Sequence, residues 1–121
     1  MSTAAKPTLV EKPWGHELIL ERNDQFVVKR IFISAGSRSS LQSHEHKREW
    51  VRVEEGTVEV TAGPDVHNLE VRTYGAGTAY RVAPTVIHRV LAVEDAYVLE
   101  VASPPSDEDI MRYDDDYGRG R

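Results

Sequence analysis

Three side chains that commonly bind metals, His44, His46 and Glu49, lie within six residues of one another, and this stretch constrains the chain more than any other. Alternate residues of an extended strand share a face, so Gln42, His44 and His46 can all point to the same side. Glu49 is out of phase with them and in phase with the apolar alternation that follows it. The ligands can therefore converge only if the chain turns or bulges, which we predict at the polar pair Lys47-Arg48.

A fourth candidate ligand, His88, follows a second strand that Gly and Pro residues punctuate, GTAYRVAPTVIHRV. Imidazoles with a carboxylate form a mixed nitrogen and oxygen donor set, which suits zinc, manganese, iron, cobalt or nickel. A bare H-x-H pair is also common on a solvated strand face. The phase of Glu49 and the position of His88 favour a metal site, so we predict one divalent transition metal bound by His44, His46, Glu49 and His88.

The two stretches resemble the two motifs of the cupin superfamily. The first motif is a Gly, an H-x-H pair, a Glu and a further Gly, and its places are filled by Gly36, His44, His46, Glu49 and Gly56. The second motif is a Gly eleven residues before a His, and its places are filled by Gly77 and His88.

A closer similarity is to the cupin of mannose-6-phosphate isomerases, including the isomerase half of bifunctional mannose-1-phosphate guanylyltransferases. The segments that carry it occur in order: EKPWG at 11–15, VVKR at 27–30, SLQ-x-H-x-H at 40–46 and DDDYGR at 114–119. Two motif positions depart from that pattern, because Trp50 stands where a His is usual and Ala83-Pro84-Thr85 stands where Pro-Ala-Gly is usual. Near the end, 102–105 replaces a longer polar segment.

The remainder of the chain is a series of short strands rich in β-branched residues, separated by turn signals, with no convincing helix before residue 104. This pattern predicts an all-β sandwich or barrel, and the resemblance selects a cupin jelly-roll barrel. At 121 residues the chain has room for one core, so we predict a single cupin domain over 1–121 with 1–10 as a loose lead-in.

The sequence of the acidic tail, 104–121, is compatible with more than one conformation. Ser106 followed by Glu108 and Asp109 predicts a cap for a short helix, whereas composition alone favours a solvated, irregular tail. The resemblance implies instead that the tail docks on the barrel through Tyr113, Asp116 and Tyr117.

The amino-acid composition limits the kinds of partner that the chain can bind. Asp and Glu number 20 against 15 Lys and Arg, and this acidic balance argues against nucleic acid. The absence of cysteine excludes disulfides and thiolate metal ligands. No apolar run reaches membrane-spanning length and 1–10 lack a signal-peptide core, so we expect no membrane association and a cytoplasmic protein.

The resemblance implies aldose–ketose isomerisation of a phosphorylated sugar through an enediolate, with the metal as Lewis acid. Lys29 and Glu100 are the candidate bases. Arginines suit the bidentate recognition of phosphate, and the candidates are Arg30, Arg38 and Arg89. Gln42 is a candidate substrate contact and an alternative ligand in place of His46, but we favour His46 because imidazole is the stronger ligand.

Two other functions fit the same residues. A non-haem iron oxygenase would use the same ligands with open positions, and an apolar pocket lining would favour it over converging Arg and Lys. A non-catalytic metabolite-binding cupin would lack either a metal or a base. We also expect a homodimer, because the family that the chain resembles often pairs barrels through exposed sheet edges, and an unpaired edge needs covering.

Overall fold

Eleven β-strands and no helix make up the regular structure of residues 2–4, 6–106 and 108–119, which are the residues that the computed structural model describes. The all-β prediction is confirmed. The strands are β1 (Thr8–Lys12), β2 (Gly15–Arg22), β3 (Val27–Ile33), β4 (Leu41–His44), β5 (Arg48–Glu55), β6 (Thr57–Gly63), β7 (Glu70–Gly75), β8 (Ala79–Val82), β9 (Ile87–Ala92), β10 (Ala96–Ser103) and β11 (Ile110–Asp114).

The strands form two antiparallel sheets. The six-stranded sheet has the order β1-β2-β3-β10-β5-β8, and the five-stranded sheet has the order β11-β4-β9-β6-β7. Neighbouring strands are often distant in sequence, because β10 lies between β3 and β5 while β9 lies between β4 and β6. This crossing arrangement brings the first and second sequence motifs side by side in the five-stranded sheet.

The core lies between the sheets and follows the period-2 alternation of the strands. In β3, residues 27, 29, 31 and 33 are buried and the intervening residues are partly exposed. The same alternation places Val51 and Val53 of β5 and Val58 and Val60 of β6 in the core. Burial of these β-branched side chains is the main driving force for packing the two sheets.

A glycine fixes the turn between β5 and β6. Gly56 has φ +82, a left-handed conformation in which side chains are strained, and an added Cβ would overlap the carbonyl oxygen of Asp95. The resemblance had identified this position as the closing Gly of the first motif. The tight turn is what lets the chain pass directly from one sheet to the other.

The two ends of the chain differ from their predicted conformations. Residues 8–10 belong to β1, which pairs with β2 along its whole length. The predicted short helix near 106–111 is wrong, since Ile110 begins strand β11, which pairs with β4. The exposed edge of β4 offers a ladder of backbone groups, and pairing with it satisfies more hydrogen-bonding groups than one isolated helical turn would.

Candidate metal centre and polar cavity

Three potential ligands converge between the sheets. His44 and His88 come from β4 and β9 of the five-stranded sheet, and Glu49 comes from β5 of the six-stranded sheet. One ligand atom from each lies within 4.8 Å of the others. Pairing of Gln42 with His88 across β4 and β9 sets the register that brings the two histidines together. The convergence therefore depends on contacts between residues far apart in sequence.

The change of phase between His44 and Glu49 occurs slightly earlier than predicted. Strand β4 ends at His44, residues 45–47 leave the strand conformation, and β5 begins at Arg48. A second turn is held against the first, because the backbone N–H of Thr85 donates to the carbonyl oxygen of His44 at 2.7 Å. Thr85 has φ +71, a left-handed conformation that favours the glycine usual at this position in the pattern that the chain resembles.

Both histidines are oriented by oxygen atoms behind them. The Nδ1 of His88 lies 3.0 Å from the carbonyl oxygen of Val86, and the Nδ1 of His44 lies 3.3 Å from the Asp109 carboxylate. If each Nδ1 carries the hydrogen, each Nε2 presents a lone pair on the side of Glu49. Histidine ligands in metal sites are commonly held in this way by a second acceptor.

The charges of the three residues are coupled. Burial lowers the pKa of His44 and keeps its imidazole neutral. Burial also opposes charge on His88, but the neighbouring Glu49 carboxylate outweighs it and raises the pKa of His88. Burial alone would raise the pKa of Glu49, whereas His88, His44 and Lys47 together lower it. Without a cation, Glu49 therefore favours a proton on His88, and His88 favours the ionised form of Glu49.

The donor set fits a divalent cation. The Nε2 of His88 is buried and has no hydrogen-bond partner among the residues that the structure describes, although a Glu49 oxygen lies 3.5 Å away. The Nε2 of His44 lies 3.8 Å from the other oxygen of the same carboxylate. Two imidazole nitrogens and a carboxylate are ligands of zinc and related metals, and a cation between them would satisfy the buried nitrogen. This cluster could therefore hold a metal ion.

His46 departs from the predicted ligand set. Its side chain is 69% exposed, and its Nε2 lies 3.9 Å from the Glu45 carboxylate. The alternation that would have turned it inward stops with β4 at His44, and the Asp109 carboxylate accepts a hydrogen bond from the His46 backbone N–H at 2.8 Å. Gln42, the alternative ligand, does line the same space as Glu49 and His88.

A polar cavity of about 240 Å³ opens beside the candidate metal centre, and its lining includes His44 and Glu49. Both predicted bases, Lys29 and Glu100, also line it, and their strands place them opposite each other. Lys29 is only 4% exposed and its ammonium lies 3.1 Å from the Glu17 carboxylate. The structure thus brings the two candidate bases into the same space as the metal cluster.

The carboxyl group of Glu100 has a strongly shifted pKa. Burial, reinforced by the charges of Glu49 and Glu17 and opposed by Lys29 and Lys47, raises its pKa to about 8. A group of this kind exchanges protons near neutral pH, which is the property required of a general acid or base.

The three arginines predicted to bind phosphate lie outside the polar cavity. Arg30 is on the outer face of the six-stranded sheet, where its guanidinium stacks 4.5 Å from the centre of the Tyr97 ring. Arg38 donates two hydrogen bonds to Asp116, at 2.7 and 2.8 Å. Arg89 alternates with His88 along β9, and it donates to Asp114 at 3.2 Å. The last two therefore hold the acidic tail.

Several cavity residues escaped prediction. Glu17, Lys47, Arg112 and Arg119 line the polar cavity, and Asp109 orients His44. Glu17 reaches the cavity through the register of β2 against β3, because it pairs with the buried Ile31. For Arg112 and Arg119 there was no local signal, since their position depends on the docking of β11.

The chain matches a family model described as mannose-6-phosphate isomerase C-terminal over residues 2–115. This chain belongs to that family. The domain's fold is that of the cupins: a TM-score of 0.73 relates it to KdgF from Halomonas sp., with 20% identity over 84% of this chain and 91% of the other. Oxalate decarboxylase from Bacillus subtilis gives a TM-score of 0.78 with 15% identity, over 93% of this chain and 33% of the other.

Curated relatives of this mannose-6-phosphate isomerase C-terminal domain are longer proteins. The xanthan biosynthesis protein XanB of Xanthomonas campestris is 36% identical over 117 residues, and the match covers 91% of this chain and 23% of XanB. The alginate biosynthesis protein AlgA of Pseudomonas aeruginosa is 34% identical over 115 residues, with the same two shares. The chain thus spans less than a quarter of the length of these relatives. No helix in the described part of the domain is long and apolar enough to cross a membrane.

Proposed function

We propose that this domain is a metal-dependent isomerase that interconverts an aldose phosphate and a ketose phosphate, with mannose 6-phosphate as the substrate to test first. The observation that carries the proposal is the convergence of His44, Glu49 and His88 beside a polar cavity that the carboxyl group of Glu100 also lines. Membership of the family supports the substrate class. A phosphorylated sugar is retained inside cells, which fits a cytoplasmic location.

In this proposal the reaction requires a proton to move between adjacent carbons of the sugar. A divalent zinc, manganese, iron, cobalt or nickel ion held by His44, Glu49 and His88 would supply Lewis acidity toward the sugar oxygens. Glu100 would take the proton at a carboxylate oxygen and return it to the neighbouring carbon. The pKa of about 8 suits both steps, because the group is readily ionised and readily protonated near neutral pH.

Lys29 has a different role in this proposal. Its ammonium is 3.1 Å from Glu17, and the ion pair favours a fixed positive charge over a free amine. That charge opposes the effects of burial on Glu100 and so keeps the pKa of Glu100 within the working range. We assign the proton transfer to Glu100 and the electrostatic support to Lys29.

The lining of the cavity favours an isomerase over an oxygenase. Lysines and arginines line it together with glutamates, and this is the pattern expected for a charged, hydroxylated substrate. A site for an apolar substrate of an oxygenase would present mainly aliphatic and aromatic side chains.

The test is a coupled assay of mannose 6-phosphate conversion to fructose 6-phosphate on protein reconstituted with each candidate metal. Turnover that disappears in His88→Ala supports the proposal. Stoichiometric metal without turnover on any hexose phosphate would contradict it, and failure to bind any metal would leave a non-catalytic metabolite-binding domain.

We also propose a homodimer. The outer face of the six-stranded sheet carries partly exposed aromatic residues, with Phe32 stacked between His16 and Tyr97. Edge strands β1 and β8 end that sheet. Light scattering during size-exclusion chromatography would give twice the 13.6 kDa chain mass if the domain pairs and the chain mass if it does not.

A further inference from the structure

The polar cavity has a local charge opposite to that of the whole chain. The chain has a formal net charge of -5, yet five cationic side chains line the cavity against three carboxyl groups. Cations in a cleft with low-dielectric walls concentrate anions. The cations are Lys12, Lys29, Lys47, Arg112 and Arg119.

Arg112 has unmet hydrogen-bonding capacity at this cavity. It pairs with Gln42 across β11 and β4, so its side chain lies on the face that carries the cavity. Its Nε is buried and has no hydrogen-bond partner among the described residues, 2–4, 6–106 and 108–119. A buried charged donor without an acceptor is costly, and the oxygen of an anionic ligand would satisfy it.

Arg119 is already oriented. Its Nε and Nη2 donate to the two oxygens of Asp115 at 2.9 and 3.1 Å, and its backbone N–H donates to the same carboxylate. The side chain of Asp115 is only 4% exposed, and these hydrogen bonds lower its pKa to about 2. One edge of the guanidinium is thus fixed while other N–H groups remain for a ligand. Such preorganisation reduces the entropy lost on binding.

Lys12 supplies a third cation from another part of the chain. It ends β1, is half-buried at the cavity wall, and forms no ion pair within the described residues. Lys29 is engaged by Glu17, and Lys47 acts electrostatically on Glu49 and the histidines. The cations at the cavity that are not committed to the candidate metal centre therefore come from β1 and from the tail.

We propose that Arg112, Arg119 and Lys12 form an anion subsite that binds the phosphate group of the substrate. Phosphate carries close to two negative charges at neutral pH and three acceptor oxygens, which match two guanidinium groups and one ammonium better than a carboxylate would. The assignment of this anion to a sugar phosphate rests on the proposed isomerase function. The subsite replaces Arg30, Arg38 and Arg89 as the phosphate-binding group.

The fluorescence of Trp14 provides a direct readout. Trp14 is buried and lines the polar cavity, whereas Trp50, the other tryptophan, has the outward parity of β5. In a Trp50→Phe background, we would titrate the metal-loaded full chain with inorganic phosphate at constant ionic strength, and with acetate as the carboxylate probe. Mannose 6-phosphate would then be compared with mannose.

We expect Arg112→Gln to weaken phosphate binding about 10- to 100-fold, the value of one or two charge-assisted hydrogen bonds. Lys12→Gln should weaken it less, by about 3- to 10-fold. Arg30→Gln is the matched control and should leave binding unchanged. If thermal unfolding shows that Arg112→Gln does not fold, the titration uses Arg112→Lys and Lys12→Gln instead.

The same titration in His88→Ala separates the subsite from the candidate metal centre. Phosphate binding that persists in His88→Ala and falls in Arg112→Gln supports the subsite, even if no sugar phosphate is ever turned over. Equal phosphate affinity in the parent, Arg112→Gln and Lys12→Gln would overturn the subsite, even if the isomerase assay succeeds. Acetate binding as tight as phosphate would also overturn it, because the site would then not be built for phosphate.

Discussion

The inner face of the six-stranded sheet combines part of the apolar core with a group of charged side chains, whereas the outer face is partly exposed. The inner face carries four charged residues, Glu17, Lys29, Glu49 and Glu100, all at the polar cavity. The outer face carries an aromatic row in which Phe32 lies 5.0 Å from Tyr97, measured between ring centres. Soluble domains ordinarily bury the apolar side chains and expose the charged ones.

Two neighbouring basic residues of β3 show the difference between the two faces. Lys29 points inward, is buried and is paired with Glu17, whereas Arg30 points outward and stacks on Tyr97. Burying a charge costs free energy that hydrophobic residues of equal size would not cost. Charges retained inside despite that cost are expected at a place where chemistry needs them. We therefore expect the inner face to be the functional one, and changes there should have the larger effects.

The largest expected effect is on catalysis, at Glu100. Glu100→Gln should lower kcat by about 10²- to 10⁴-fold with metal content unchanged, because the amide cannot exchange the proton. Glu54→Gln is the control, since Glu54 has the outward parity of β5 and lies beside Arg30 and Arg52. Steady-state kinetics of the two variants measure the contrast. Equal losses in both would contradict the assignment of the inner face.

The next effect is on stability, at Lys29. Lys29→Met should lower the free energy of unfolding by about 3 kcal/mol, because it leaves the partly buried Glu17 carboxylate without its partner. Arg30→Met removes a largely exposed pair and a stacking contact, so we expect a loss of less than about 1 kcal/mol. Urea unfolding of both variants gives the difference, and a larger loss in Arg30→Met would reverse the comparison.

The pH dependence of stability provides a third contrast. The folded-state pKa of Glu100, about 8, exceeds the ordinary value of 4.5, so the folded state holds a proton that the unfolded state releases between these values. The stability that this proton contributes to the folded state is fully present below about pH 4.5 and is lost as the pH rises through 8. In metal-free protein Glu100→Gln should flatten this decline, which is on the order of a few kcal/mol. An unchanged slope between pH 5 and 8 would refute the raised pKa.

The smallest expected effect concerns metal affinity and pH. The pKa of His88 is raised in the metal-free cluster because Glu49 outweighs the effect of burial, so a proton competes with the metal. Affinity should fall as the pH drops through that pKa, by at most about tenfold per unit for this one proton. Calorimetric titration with zinc at several pH values tests this, and a pH-independent affinity would contradict it.

The sequence carried enough information for the fold and for part of the cluster. Alternation predicted the strands and the inward face of β5, and the spacing of the two motifs located His44, Glu49 and His88. Alternation could not decide between Lys29 and Arg30, because apolar neighbours flank both. Only the register of β3 against β2 and β10 settles which of them is inside.

Two features depended on contacts that no local pattern contains. The direction of the His46 side chain depends on where β4 ends. That end is held by the hydrogen bond between Thr85 and His44 and by the one between His46 and the Asp109 carboxylate. The tail forms a strand because the edge of β4 is available to it. Arg112 and Arg119 reach the cavity only through that pairing, which no local pattern in the sequence indicates.

The most direct test of the account is the metal stoichiometry of His46→Ala beside that of His88→Ala, measured by elemental analysis after reconstitution and dialysis. The two histidines belong to the same predicted ligand set, but one is 69% exposed and the other is buried against Glu49. We predict one metal ion per chain in His46→Ala and none in His88→Ala. Equal loss of metal in both variants would show that His46 is a ligand and would contradict the three-residue centre described above.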